Sequence, residues 1–148
     1  MLEKILKEKI SADHLLYVSL KYTKTCDVIL NLIQRWTIMI DDSVDGILEK
    51  AKKNKKIKEI PLAPRQKIEL VRKKFKKEET VMKTMDLYEF FKKVPNLSKT
   101  REHEFRKNVG LRIDNNGEEV VINLEKLKEY SETLETFINY VKQVLLSK

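Results

Sequence analysis

A chain of 148 residues with 41% apolar and 36% charged side chains is too apolar for a disordered chain and too charged for a membrane-embedded one. Its size fits a single domain, residues 1–148, with enough chain to bury a sizeable core. The formal charge of +8 is confined to one stretch: Glu49 to Lys77 holds thirteen Lys or Arg against three Glu, while residues 1–48 and 78–148 each sum to −1.

The opening MLEKILKEKI mixes Lys and Glu with Leu and Ile, unlike the uninterrupted apolar run of a signal peptide, and predicts a short amphipathic helix over Leu2–Lys9. Ser11 then has the chemistry of an N-cap, with Asp13 in the first turn favoured by the helix dipole. From there apolar residues recur in threes and fours at Leu15, Val18, Tyr22, Cys26, Ile29, Ile33, Trp36, Ile40, Val44, Ile47 and Ala51. This spacing predicts one very long helix, about 11–53. Leu16, Leu20, Leu30, Leu32, Ile38 and Met39 add a second apolar face, so other helices should surround it. Asp41, Asp42, Asp45 and Gly46 mark a place where it can kink or break. The densest apolar run, Val28 to Ile40, falls short of the ~20 residues that a bilayer requires.

Lys52 to Lys58 is a lysine-rich exit from the helix, and the two prolines of IPLAP (60–64) predict an extended connector. Pro64 suits the first position of a helix that turns Ile68, Leu70, Val71 and Phe75 inward. Another amphipathic helix is expected over about Glu79–Lys93. Beyond Ser98, the period-two pattern of Phe105, Val109, Leu111 and Ile113, the turn Asn115-Asn116-Gly117 and the run Val120-Val121-Ile122 predict a small β-hairpin, about 104–123. Asn123 can cap a C-terminal helix with Leu127, Tyr130, Leu134, Phe137, Ile138, Val141 and Leu145 on one face. The expected fold class is mostly α: a helical bundle with one long, kinkable N-terminal helix and a small hairpin before the last helix.

Most cofactor chemistry has no motif here. The glycines are Gly46, Gly110 and Gly117, which form no phosphate-cradling loop, and no Cys/His spacing suits zinc. No cofactor or metal is therefore expected, although Asp41, Asp42 and Asp45 on one turn can in principle hold a hard cation. One cysteine, Cys26, allows no intrachain disulfide and fits a reducing, cytoplasmic setting. Abundant Lys, Glu and Ile with three Gln give a thermophile-like composition.

Two clusters are candidates for function. TREHEFRKN (100–108) gathers Arg101, His103, Arg106, Lys107 and Asn108, and His14 lies beside Asp13. A His that takes a proton from a 2′-hydroxyl and an Arg that neutralises the phosphate are the elements of metal-independent RNA cleavage, so His103, His14, Arg101 and Arg106 are the catalytic candidates. The basic segment, through Lys52, Lys53, Lys55, Lys56, Lys58, Arg65, Arg72 and Lys73, with Arg106 and Lys107, can track a phosphate backbone. With a single Phe in the segment, no stacking platform is expected beside it.

A helical bundle of this length with a long N-terminal helical pair, a basic surface and a late Arg/His/Asn cluster resembles the HEPN superfamily (higher eukaryotes and prokaryotes nucleotide-binding domains) over about two-thirds of the chain. The resemblance implies a dimeric helical domain and, in many members, a metal-independent ribonuclease with a His four to six residues after an Arg on a late helix. Here Arg106 is followed by Asn108, the positions Lys107 to Arg112 hold no His, and His103 precedes Arg106. The resemblance then implies a catalytically lapsed, RNA-binding or nucleotide-handling partner module. The alternatives are a toxin-like ribonuclease and a homodimeric interaction protein paired through the long helix.

Overall fold

The computed structural model describes residues 1–148 as five helices and one three-stranded antiparallel sheet. Helix α1 runs as a regular helix over Leu2–His14, widens into a π turn at Leu15–Ser19 and closes with Leu20–Tyr22. The others are α2 (Cys26–Lys53), α3 (Pro64–Lys74), α4 (Glu79–Lys93) and α5 (Leu124–Leu146). Strands β1 (Ser98–Glu102), β2 (Gly110–Asn115) and β3 (Glu118–Asn123) pair in the order β1-β2-β3.

The single helix expected over 11–53 is two helices. Ser11 is an exposed position inside α1 and caps nothing. The chain breaks at Thr23-Lys24-Thr25, where Thr23 and Thr25 are extended and the Thr25 hydroxyl accepts from the backbone N–H of Val28 at 3.4 Å. The break was invisible to periodicity because Cys26, the first residue of α2, falls on the spacing of both helices. The chain does not break at Asp41 to Gly46, since α2 is helical throughout.

After the break, α1 folds back along α2, bringing Met1 to Gly46: a Cβ at Gly46 would stand 3.2 Å from Met1 Cγ and 3.3 Å from Leu145 Cδ1. Within α1 the buried Ala12, Leu16 and Leu20 are spaced in fours, which on a regular helix drifts around the axis. The wider π turn takes up that drift and leaves Val18 and Tyr22, expected in the apolar stripe, on the outside.

Helix α2 is the centre, with α1, α3, α4 and α5 all packed against it and buried residues from Cys26 to Ala51. Its apolar girth, the ground for expecting a self-paired dimer, is thus covered within the chain, Ile38 remaining 41% exposed. Trp36 of α2 stacks on Phe91 of α4 at 5.8 Å, and Tyr130 of α5 meets Phe91 edge-on at 5.3 Å. One contiguous apolar core reaches from these helices to Leu111, Ile113 and Ile122 of the sheet.

The hairpin is β2–β3, turning through Asn116 and Gly117 with φ of 56° and 91°, as a tight turn of this type demands. It starts at Gly110 rather than near 104. Strand β1, SKTRE, pairs with β2 from Ser98↔Asp114 to Glu102↔Gly110. It was missed because an edge strand of polar residues carries no apolar alternation. No helix is long and apolar enough to cross a membrane, and Cys26 is a buried free thiol.

Candidate nucleic-acid interface

The basic segment occupies the C-terminal end of α2, the loop 54–63 and α3. Lysines suit the end of a helix, where the backbone carbonyls present partial negative charge. Lys55 turns the chain with a φ of 60°, and the buried Ile57 anchors the loop. Part of the charge is neutralised by ion pairs within the chain. Lys67 binds Asp45 of α2 at 2.8 Å, Arg72 is held by Asp86 and Glu89 of α4 at 2.8 and 3.1 Å, and Arg65 lies 3.7 Å from Glu69. Lys50 donates to the Ser147 carbonyl. Arg72, expected among the phosphate contacts, is thereby a strut between α3 and α4.

The remaining lysines, Lys52, Lys53, Lys55, Lys56, Lys58, Lys73, Lys74, Lys76 and Lys77, have no carboxylate partner within 4.0 Å. The fold draws both ends of the segment together. Lys56 from the loop and Lys73, Lys74, Lys76 and Lys77 line one concave site of about 400 Å³, with Glu78 as its single acidic residue. Ala51, Ile57, Phe75 and Tyr140 form its apolar wall. Phe75 and Tyr140 meet edge to face with ring centroids 6.4 Å apart. Burial, with Glu78 nearby, raises the Tyr140 phenol above its usual value.

Tyr140 is the residue that sequence reasoning missed. It stands on α5, far along the chain from the lysines, and nothing in the basic segment signals it.

Arg106 and Lys107 do not join this site. Their turn docks at the opposite end of α2, where the Phe105 N–H donates to the Lys24 carbonyl at 2.6 Å and Glu104 accepts from the Cys26 N–H at 3.3 Å. The 28 residues of α2 separate the two ends by about 42 Å at ~1.5 Å per residue. On β1, just before that turn, Arg101 is bound by Asp27 at 2.7 Å and Glu104 at 3.3 Å, and these carboxylates raise its pKa. His103 is exposed with a φ of 53°. His14 is exposed on α1. The Arg106 backbone N–H donates to the His103 carbonyl at 3.1 Å, but no side-chain hydrogen bond or ion pair joins either His to Arg101 or Arg106.

Asp41, Asp42 and Asp45 do not converge. Asp41 accepts from the Tyr88 hydroxyl of α4 at 2.6 Å, Asp42 lies 3.4 Å from Lys4 of α1, and Asp45 binds Lys67 of α3. The trio ties the central helix to three neighbours, and no group of His, Cys, Asp or Glu side chains is arranged to hold a metal ion. A larger groove of about 760 Å³ beside α2 and α4 carries charges of both signs, Asp27 and Asp41 against Lys92 and Lys99, and favours no ligand class.

No family model, curated protein or solved structure matches this chain.

Proposed function

We propose that the chain is a non-catalytic RNA-binding module, in keeping with a lapsed HEPN-like domain, and that it engages the phosphate backbone at the lysine-ringed site between α2 and α3. The observation carrying this reading is the set of unpaired lysines converging on one concavity, while other cations of the segment are bound to carboxylates. Each phosphate neutralised by a lysine releases condensed counterions, so affinity falls steeply with salt. With about five contacts to a single strand, binding weakens roughly a hundredfold between about 50 and 200 mM salt. Fluorescence anisotropy with a short RNA checks this, and affinity indifferent to salt refutes it.

The ribonuclease alternative has less support, because no side-chain hydrogen bond joins its His candidates to its Arg candidates and Arg101 is already engaged by two carboxylates. RNA incubated with the EDTA-treated protein is expected to stay intact; cleavage abolished by His103→Ala or His14→Ala would establish the alternative.

A homodimer finds its support on α1 rather than α2, where Ile10, Tyr17 and Tyr22 are 68%, 55% and 78% exposed. Light scattering distinguishes a monomer from a dimer.

A further inference from the structure

Lysines alone hold a phosphate backbone of either form, duplex or single strand, but the site between α2 and α3 has an apolar wall as well. Phe75 follows the last turn of α3 and Tyr140 reaches it from α5. Both rings are half-buried and line the concavity that the lysines surround. The edge-to-face arrangement leaves the two rings in different planes. The volume of about 400 Å³ falls in the range of pockets that seat small ligands, roughly 300–1000 Å³. A rigid duplex presents its bases stacked and paired, with no free face for such a wall. A single strand can turn one base out of line while its flanking phosphates remain among the lysines.

Resting on the RNA-binding reading above, we infer that this site takes one unpaired base of a single-stranded RNA against Phe75 and Tyr140, with the adjacent phosphates bound by Lys56, Lys73, Lys74 and Lys77. The protein therefore discriminates single strand from duplex through the aromatic wall and binds both through the lysines. Base identity is read weakly, because every base offers a π face.

The experiment compares a short single-stranded RNA, a duplex of the same length and inorganic polyphosphate, for the wild-type chain and for Tyr140→Leu, Tyr140→Phe and Lys73→Gln/Lys74→Gln. Tyr140→Leu keeps apolar bulk at the half-buried position, and circular dichroism verifies its fold. The expected result is a preference for the single strand on the order of tenfold, lost in Tyr140→Leu and kept in Tyr140→Phe. The lysine variant weakens all three polyanions together. Equal affinity for single strand and duplex in the wild type, or a preference unchanged in a folded Tyr140→Leu, overturns the base site and leaves the lysine interface standing. No binding of any polyanion overturns both.

Discussion

Glu8 on α1 and Asp42 on α2 carry carboxylate oxygens, Glu8 Oε2 and Asp42 Oδ2, that are buried without a hydrogen-bond donor. Burial and the neighbouring Asp42 push Glu8 up to about 7, against the opposing charges of Lys4 and Arg35. With a proton between them, the two side chains form a hydrogen bond joining the helices; without it they repel.

Because this folded-state pKa lies above the ordinary 4.5, the folded chain binds the proton more tightly than the unfolded chain between those values. This group's contribution to stability is largest at the acid side and declines as pH rises from about 4.5 to about 7. A shift of that size corresponds to ~3 kcal/mol, which partial exposure and screening reduce to about 1–2 kcal/mol. Glu8→Gln supplies a permanent donor to Asp42, so it is expected to be the more stable form near pH 8. Urea unfolding of both proteins at about pH 5 and 8 checks this, and parallel pH responses in the two would exclude the shared proton.

Tyr88→Phe leaves the half-buried Asp41 carboxylate without the hydroxyl that now bonds it at 2.6 Å. Burial raises the Asp41 pKa and the Tyr88 bond opposes that rise, so the variant should raise it further and lose about 1–3 kcal/mol near neutral pH. Tyr130→Phe is the control, since its hydroxyl makes no hydrogen bond within the chain and its removal should cost less than about 0.5 kcal/mol. Denaturant midpoints compare the two directly.

Gly46 is a point of close approach. Gly46→Leu must displace Met1 and Leu145, which already lie 3.2 and 3.3 Å from where a Cβ would stand. The expected loss is about 1–3 kcal/mol, read as a lower Tm. A gain would mean that helix propensity outweighs packing here.

Arg72 and Arg106 should both be nearly silent in binding a short RNA, for different reasons. Arg72 is occupied by Asp86 and Glu89, so Arg72→Gln lowers stability by up to about 1 kcal/mol and leaves affinity almost unchanged. Arg106→Ala lies about 42 Å from the lysine site by the length of α2, beyond the reach of an oligonucleotide of a few residues. Anisotropy with a four- or five-nucleotide RNA tests both against Lys73→Gln. A loss for Arg106→Ala equal to that for Lys73→Gln would place the interface elsewhere.

The amphipathic helices over Glu79–Lys93 and after Asn123 were legible because a 3.6-residue apolar period and its end signals are local properties. So was the turn at Asn116 and Gly117, where positive φ restricts the residue types. Strand β1 was not legible: Ser98 to Glu102 is held by its ladder with β2, and no apolar side of its own announces it. The break at Thr25 was hidden because a fold-back between two helices can preserve apolar spacing while reversing chain direction.

At the candidate site, the excess charge between Glu49 and Lys77 is legible from residue order alone, since charge is additive along a chain. Which charges are free depends on the folded arrangement: Asp45, Asp86 and Glu89 come from other helices to bind Lys67 and Arg72. The same arrangement places Tyr140 beside Phe75 and separates Arg106 from the lysines by the length of α2. Burial, ion pairing and ring contact depend on distance in space, and in this fold the partners that matter are remote in sequence.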